Sequence, residues 1–528
     1  MGVRDFGAAR LRRAAGGRAS FVSLALAFYL AAGVLATWPA IEHAGSRFVA
    51  SPAPSFGEVA PGDHLQTGWN LWLFGHQLGN ARAFWIDPYS FQPEVKPRPN
   101  FQGLVFGLPY WPLIALFGAV VAWNLFTLLT FAGAGGAACA WLRSLGLPRG
   151  AAVTGGLAFA LAPYRVEQSA GHLLGPISLF LPLSLLGLQV GRPLLAGAAL
   201  AAIPLSGQVH LALGAVPLFV AYALVRRRPL EALPGVVAAV VAGELVQRTL
   251  IQGSLHAHGR SHAEVSRYSA HWSDFLSRHG SGETYVLLGW LTPLLALTGL
   301  GLLVRTRRFA IAAFLFLAAA IPILLALGTN LPTYELARRL VPHLNVSRVP
   351  ERLLPIACLA LAALVAFAVA RTRPAVVVLL LALVALDLRA QVHAYGAVGA
   401  DEGNAAYAAL RAQPPGRLLD LPVFLPDINL NSTYLYYDMQ AGRQRPTGYA
   451  TTDTEVEDAT ARRLRHMNCE PWQDGVAGTL GVRYVAVHRG FFAAFRPSCE
   501  QRALARLRAH GFRPLAADGA VEIFARTS

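Results

Sequence analysis

Long apolar runs alternate with short polar segments from about residue 20 to residue 390, whereas residues 395–528 have the mixed pattern of a soluble protein. A helix needs about 20 apolar residues to cross roughly 30 Å of hydrocarbon. On this criterion the pattern predicts about eleven spans, several of them short, at 21–40, 121–142, 150–163, 173–190, 193–209, 211–225, 231–250, 284–303, 309–327, 353–371 and 374–390. The chain is therefore predicted to be an α-helical polytopic membrane protein with a transmembrane domain over 21–394.

Residues 395–528 are predicted to form a soluble α/β domain. Short apolar strands at 417–421 and 482–487 alternate with helical patterns, of which 500–510 is one. Asp518-Gly519 is a hairpin signal leading into a further strand. The segment contains no nucleophile elbow, phosphate loop or metal-binding frame, so we expect it to bind an acceptor or to shield the membrane site.

Arginine clusters predict the orientation in the membrane. Five arginines lie in residues 1–20, before the first span, and should keep this N-terminal segment in the cytoplasm. The first span is longer than a signal-peptide core and is interpreted as an uncleaved anchor.

The apolar run 103–120 is ambiguous. If it crosses the membrane, the clusters at 143–149, 226–228 and 305–308 all lie outside; if it lies along or dips into the outer face, they all lie inside. The positive-inside rule favours the second arrangement, and Pro109 and Pro112 weaken a plain spanning helix. An odd number of spans then places 395–528 outside the membrane.

Composition and charge agree with a membrane protein. Only 14% of the residues are charged, against roughly 25% in a soluble domain. The net charge of +16 comes from arginines between apolar runs, without a nucleic-acid-binding motif, so we expect membrane lipids and no nucleic acid as partners. Abundant Ala, Gly, Arg and Pro are typical of a GC-rich bacterium, which favours the inner (plasma) membrane.

Two of the cysteines are predicted to pair. Cys469 and Cys499 both lie in the predicted outer domain, where the compartment is oxidising. Cys139 and Cys358 lie within apolar spans and are interpreted as packing residues.

The predicted outer face collects the polar motifs of the chain. Its long loops are 41–102, 251–283 and 328–352. The motif segments lie in and around these loops and in the outer domain. They are 61–72 (PGDHLQTGWNLW), 87–94 (DPYSFQPE), 162–165 (APYR), 282–285 (GETY), 327–332 (LGTNLP), 347–352 (SRVPER) and 445–449 (RPTGY).

In this order the motifs resemble the GT-C superfamily of multi-spanning glycosyltransferases, especially its bacterial YfhO-like branch. The resemblance implies an enzyme that takes a sugar from a polyprenyl-phosphate carrier at the outer leaflet and passes it to an envelope lipid, glycan or protein. It also implies an acidic catalytic base in the first outer loop, the position that Asp63 occupies here.

The residues around Asp63 allow two interpretations of its role. A carboxylate can take the proton of an attacking hydroxyl group. Asp63 also follows Pro61-Gly62 at the predicted start of a helix through Trp69 and Trp72, where it could serve only as a cap. His64, next to it, is a candidate substrate ligand.

Asp87 and Glu94 are rival acidic candidates in the same loop. Asp87 precedes a proline and could simply start a turn, and Glu94 could bind a sugar hydroxyl group or a divalent cation. No Asp-x-Asp pair follows the first span, so we expect no obligatory metal, with a divalent cation as the alternative.

Arg348 and Arg352 are the candidate ligands of the lipid phosphate. The guanidinium fork suits phosphate oxygens. The two residues are four apart, and so share a face if the segment is helical, although Pro350 lies between them. The alternative is that they reach toward lipid head groups.

The loop 251–283 contains five histidines whose spacing fits no standard metal frame. We expect a segment that closes over the substrate, with Glu283 as a further ligand. His172 and His210, at the ends of spans, are interpreted as interfacial or packing residues.

These observations predict an inverting, polyprenyl-phosphate-dependent glycosyltransferase. Two alternatives stay open: a transporter or flippase for lipid-linked glycans, and a catalytically silent scaffold for envelope assembly. Neither a clear internal repeat nor several acidic residues within spans supports the transporter.

Overall fold

The computed structural model of the protein describes residues 3–280, 284–389 and 394–527, with side chains from residue 19 onward. The helices of the apolar part are α1 (Val3–Thr37), α2 (Asp63–Gly79), α3 (Phe101–Ser144), α4 (Arg149–Ala160), α5 (Pro163–Glu167), α6 (Leu174–Ile177), α7 (Phe180–Gln189), α8 (Pro193–Leu205), α9 (Val209–Val225), α10 (Pro229–Val246), α11 (His262–Ser266), α12 (Leu291–Arg305), α13 (Phe309–Ala326), α14 (Tyr334–Leu340), α15 (Leu354–Val369) and α16 (Pro374–Leu388). Short strands β1 (Phe48–Ala50) and β2 (Ile86–Asp87) precede β3 (Arg98–Pro99).

Each predicted span contains a helix. Within the described residues, five helices are long and apolar enough to cross a membrane: Ala19–Thr37, Phe101–Ser144, Pro229–Ile251, Phe309–Ala326 and Pro350–Val369. Five shorter apolar helices accompany them: Leu174–Gln189, Pro193–Leu205, Val209–Val225, Leu291–Arg305 and Pro374–Leu388. The number of crossings stays a prediction.

The centre of the apolar part is α15, whose residues are all buried. Such a helix, apolar on every side, is typical of a core surrounded by other helices. It contacts α4, α12 and α13. The contact with α12 is close because Gly299 has no side chain: a Cβ there would stand 2.0 Å from the carbonyl oxygen of Leu364.

The helix in the span predicted at 284–303 begins only at Leu291. Its first N–H groups need acceptors, because no earlier turn of helix supplies them. The carboxylate of Asp387, on α16, accepts from the N–H groups of Trp290 and Leu291 at 3.0 and 2.8 Å. This side chain therefore marks the start of α12, which hydropathy placed too early.

The ambiguous run 103–120 forms the first part of α3, which breaks at Gly118. Before the break, α3 runs beside α2: Gly103 lies against Asn70, and Gly107 lies against Phe74. At the break, the N–H groups of Ala119 and Val120 donate to Glu402 at 2.5 and 3.2 Å.

After the break, α3 runs antiparallel to α1, with Phe131 against Gly33 and Tyr29 against Gly135. The first part of α3 thus packs on the helix of the first polar loop, which supports its placement along the outer face. That placement stays a prediction.

The C-terminal region combines a sheet with short helices. After β4 (Gly396–Val398), its elements are α17 (Ala405–Arg411), β5 (Arg417–Leu421), α18 (Asn431–Ala441), α19 (Glu455–Arg465), α20 (Asp474–Thr479), β6 (Val482–His488), α21 (Arg489–Phe495), α22 (Glu500–Ala509), β7 (Phe512–Asp518) and β8 (Val521–Arg526). The sheet order is β5-β6-β8-β7, parallel between β5 and β6 and antiparallel elsewhere. The strands at 417–421 and 482–487 and the hairpin at Asp518-Gly519 lie where they were predicted. That the region is a separate soluble domain stays a prediction.

A cluster of buried charges joins this region to the first polar loop. His488 contacts Glu58 through Nδ1 at 2.5 Å and lies 3.4 Å from Asp420 through Nε2. Arg445 donates to Asp420 at 2.7 Å and also contacts Asp438. These five side chains, the buried charge cluster, are each at most 3% exposed.

Neighbouring opposite charges keep His488 protonated and Asp420 ionised. Burial alone would lower the pKa of His488, but Glu58 and Asp420 raise it to about 9, so the imidazole is charged at neutral pH. Burial would also raise the pKa of Asp420, whereas Arg445 and His488 lower it. Removing one partner from such a group leaves a buried, uncompensated charge, which costs about 3–5 kcal/mol. The cluster therefore fixes Glu58 against β5, α18 and β6.

The predicted disulfide between Cys469 and Cys499 is confirmed. It joins the segment after α19 to the start of α22. Cys139 and Cys358 are buried and unpaired.

We expect this pairing to be visible in a thiol count. The purified protein, unfolded in detergent without reductant, should expose two reactive thiols, and four after reduction, because the chain has four cysteines in all. The folded protein should show almost none, since both free thiols are buried. Four reactive thiols without reductant would contradict the pairing.

Candidate active site

A cavity of about 660 Å³ opens between the apolar helices and the C-terminal region. The start of α2, the segment after α5, the start of α9, the end of α10 and loops from other parts of the chain form its walls. The charged and hydrogen-bonding side chains in these walls include Asp63, His64, Gln102, Glu167, His172, His210, His256, Arg260, Tyr268, Arg348, Arg352, Asp427 and Tyr449.

Asp63 is the first residue of α2 and faces this cavity, with 30% of its side chain exposed. One carboxylate oxygen, Oδ2, lies 3.0 Å from His172 Nε2. The other, Oδ1, accepts a hydrogen bond from the Tyr449 hydroxyl group at 2.8 Å. Side chains from two distant segments, and not the N–H groups of its own helix, thus hold the carboxylate, so the geometry does not support the cap reading.

These contacts keep Asp63 ionised. Burial would raise its pKa, but the charge and hydrogen bond of His172 and the hydrogen bond of Tyr449 lower it below the ordinary value of 3.8. The N-terminus of α2 favours a negative charge at the same place. Burial and the nearby Asp63 charge raise the pKa of Tyr449, so its hydroxyl group stays protonated and donates.

His64 lies beside Asp63 but is almost fully buried. Its ring packs against Phe48 and Trp123, with ring centroids 5.1 and 6.2 Å away. Burial lowers the pKa of His64 to about 3, although Asp63 opposes the shift, so the ring is neutral. A neutral ring can contact a sugar at the cavity wall but cannot form an ion pair with a phosphate.

Another part of the cavity wall is basic. Arg348 lies in the extended stretch before a single 3-10 turn, Pro350–Leu353, and Arg352 lies on that turn. The segment is therefore not one continuous helix, yet both side chains line the cavity. The Arg348 guanidinium lies 5.5 Å from the centre of the Tyr268 ring.

Two further basic side chains reach this wall from the loop 251–283. Arg260 contacts Glu264 at 3.2 Å and donates to the carbonyl oxygen of Thr451 at 3.2 Å. Burial lowers the pKa of Arg260 and of His256, and the Arg348 charge lowers both further. The positive charges of Arg260 and Arg348 thus lie close enough to repel each other, which an anion in the cavity would relieve.

The other sequence candidates lie elsewhere. Asp87 accepts hydrogen bonds from the N–H groups of Tyr89 and Ser90, at 2.8 and 3.3 Å, and so forms the turn that was its alternative reading. Glu94 pairs with Arg463 of α19 at 3.3 Å. Neither residue lines the cavity. Glu283 lies outside the described residues.

Sequence reasoning missed three side chains of the site. His172 was read as interfacial, and Arg260 was one of many basic residues in its loop. Tyr449 is 386 residues from Asp63, so no local pattern could connect them. The available signal was the segment 445–449, whose motif was noted without a role for its tyrosine.

Among the residues that the structure describes, no three His, Cys, Asp or Glu side chains form a group able to hold a metal ion. Of the histidines in the loop 251–283, His256 is the one that lines the cavity.

The structure resembles solved glycosyltransferases. Arabinofuranosyltransferase AftD from Mycobacteria matches with a TM-score of 0.59 and 16% identity, over 96% of this chain and 40% of AftD. ArnT from Cupriavidus metallidurans, in the apo state, matches with a TM-score of 0.51 and 15% identity, over 98% of both chains. The chain thus spans less than half of AftD but nearly all of ArnT.

Sequence comparison adds no relative: no family model matches the chain, and no curated protein matches it. These neighbours are GT-C glycosyltransferases, so the likeness shows that the chain has the fold expected from the motifs, and its apolar helices fit a membrane protein. The YfhO-like branch stays a prediction.

Proposed function

We propose that the protein is an integral membrane glycosyltransferase that moves a sugar from a polyprenyl-phosphate carrier to an envelope lipid, glycan or protein on the outer face of the membrane. One observation carries the proposal: the ionised Asp63 carboxylate faces the same cavity as Arg348 and Arg352. An acid and a group of cations that line one cavity suit a reaction that removes a proton from the acceptor and leaves a negative charge on the donor.

The step is a direct displacement at the anomeric carbon. The acceptor oxygen forms a bond to that carbon as the bond from the carbon to the phosphate oxygen breaks, and the configuration inverts. Asp63 takes the acceptor proton, a contribution of about 10²–10⁴ in rate. The proton becomes acidic only as the new bond forms, so a carboxylate that is always ionised can accept it.

The departing phosphate carries the electron pair of the broken bond. In this proposal Arg348 and Arg352 receive that charge, since an arginine binds phosphate oxygens through charge-assisted hydrogen bonds. No ion pair of Arg348 with a carboxylate occurs among the described residues, where its guanidinium lies beside Tyr268. It can therefore bind a phosphate without first breaking a salt bridge.

The lipid chain of the carrier fits the end of α10. Val246, Leu250 and Ile251 line the cavity there, where the helix ends in a π-helical turn, Gln247–Ile251. On the outside of the same helix, apolar side chains are half or more exposed, among them Leu233, Val237 and Val241. A bilayer around α10 would thus continue into the apolar part of the cavity.

The C-terminal region is proposed to bind the acceptor. It brings Asp427, Asn429, Thr451 and Thr452 to the cavity, polar groups that suit sugar hydroxyl groups. The proposal includes an outer location for this region, a cytoplasmic N-terminus, and the plasma membrane of a bacterium.

Asp63→Asn should abolish transfer. The amide cannot accept the proton, so kcat should fall by about 10²-fold or more while donor binding persists. Purified protein in nanodiscs would be given a panel of polyprenyl-phosphate sugars and crude envelope acceptors, and release of polyprenyl phosphate would be followed.

Asp87→Asn and Glu94→Gln are the matched controls, because both carboxylates lie outside the cavity, and both variants should turn over like the wild type. Turnover that survives in Asp63→Asn would overturn its role as the base. No turnover by the wild type with any donor would favour a transporter or a scaffold.

Arg348→Ala should weaken use of the donor. A charge-assisted hydrogen bond contributes about 1.5–3 kcal/mol, so kcat/KM for the donor should fall by about 10–150-fold. Arg267→Ala is the control, because Arg267 is exposed and outside the cavity. Equal activity of the two variants would remove Arg348 from the phosphate site.

We also propose that the reaction needs no metal. The proton acceptor and the cations that the step requires are side chains of the cavity, so incubation with EDTA should leave the rate of polyprenyl phosphate release unchanged. Loss of activity that manganese restores would contradict this.

A further inference from the structure

Tyr449 belongs to the C-terminal region, yet its hydroxyl group lies 2.8 Å from Asp63 on the first polar loop. We infer that Tyr449 is a positioning residue that fixes the Asp63 carboxylate for proton transfer, and that the C-terminal region thereby completes the active site. This inference rests on the proposed function and adds a defined role for a residue outside the helical part.

The backbone on both sides of Tyr449 is held in place. On one side, the N–H of Arg445 donates to the carbonyl oxygen of Tyr89 at 2.8 Å, and the N–H of Gln92 donates to the carbonyl oxygen of Arg445 at 2.7 Å. On the other side, the N–H of Ala450 donates to the carbonyl oxygen of Pro426 at 3.0 Å. The tyrosine is thus presented by a fixed segment.

Close packing restrains the same segment. Gly448 lies directly against the Phe91 ring, where a Cβ would come within 2.8 Å of the ring carbons. The Tyr449 ring packs beside a small apolar cluster that contains Trp69 and Leu435. Because α2 carries both Trp69 and Asp63, a shift of segment 445–450 relative to α2 would disturb the hydrogen bond and this packing together.

The buried charge cluster anchors the start of this segment. Arg445 lies four residues before Tyr449 and reaches both Asp420 and Asp438 with its side chain. The nearby Trp69 indole donates to Asp438 at 3.4 Å. The charges that hold the C-terminal region on the first loop therefore also set the distance between Tyr449 and Asp63.

Two donors from different elements hold the two oxygens of Asp63. His172 contacts Oδ2 and Tyr449 contacts Oδ1, and each carboxylate oxygen has a second lone-pair direction. The carboxylate plane is thereby fixed while capacity for an acceptor hydroxyl group remains. Positioning of this kind matters because small misplacements of a catalytic group cost large factors in rate.

A role in packing alone would give a different result from a role in positioning. The Tyr449 hydroxyl group stabilises the charged form of Asp63, so its removal should raise the pKa of that carboxyl group. Tyr449→Phe keeps the ring and its packing and removes only the donor. A packing role leaves kcat of the folded variant unchanged, whereas a positioning role lowers kcat and leaves the KM for the donor unchanged.

The test is the steady-state kinetics of Tyr449→Phe at neutral pH, measured by polyprenyl phosphate release in nanodiscs. We expect kcat to fall by about 10-fold and the KM for the donor to stay as in the wild type. The control is Tyr89→Phe, which removes a hydroxyl group bonded to His76 at 2.9 Å in the same neighbourhood. It should leave both quantities as in the wild type.

An unchanged kcat in Tyr449→Phe, with Asp63→Asn inactive, overturns this inference and leaves the proposed function intact. A double-mutant cycle on thermal unfolding tests the contact without any turnover. The loss in Tm caused by Tyr449→Phe should disappear in the Asp63→Ala background; an equal loss in both backgrounds overturns the inference, even if no donor supports transfer.

Discussion

The contact between the first polar loop and the C-terminal region depends on a small group of charged side chains that are buried next to one another. Glu58, Asp420 and Asp438 supply negative charge, and His488 and Arg445 supply positive charge, with almost no exposure. Desolvation of each ion is costly by itself, and only close opposite charges with good hydrogen bonds offset it. The arrangement therefore tolerates little displacement, which makes it a precise connection between two segments far apart in the sequence.

This connection organises the cavity. The helical part supplies Asp63, His172, Arg348 and Arg352, while the C-terminal region supplies the wall that contains Tyr449. Neither part alone contains both donors and the carboxylate that they hold. The wholly buried α15 gives the helical part a rigid centre, and the one-turn helix just before it carries Arg352 to the cavity. Asp63 and Arg352 are thus carried to one cavity by separate elements of the helical part.

Sequence reasoning reached the elements whose signal is local. Apolar runs located a helix in each predicted span, and the turn signal at Pro61-Gly62 located the start of α2 at Asp63. Alternation and the Asp-Gly pair located strands of the C-terminal sheet. Each of these depends on neighbouring residues, and such patterns report helix and strand formation directly.

The sequence did not show which distant segments of the chain lie close together in the fold. The Asp387 carboxylate starts α12 from another helix, and the break in α3 coincides with a carboxylate of the C-terminal region, Glu402. Tyr449 and His172 meet at Asp63 only in the folded chain. Asp87 and Glu94 were rival acidic candidates in the same loop, and their partners in the folded chain, a local turn and Arg463, distinguish them from Asp63.

Because Asp63 precedes Tyr449 in the chain, the contact between them can form only after Tyr449 has been synthesised. Tyr449 follows Asp63 by 386 positions in the order of synthesis. During that interval the first loop and the helices can already meet the bilayer and its lipids, but one wall of the cavity is missing. A chain that has not yet been extended to Tyr449 therefore lacks one of the two hydrogen-bonding partners that hold the Asp63 carboxylate.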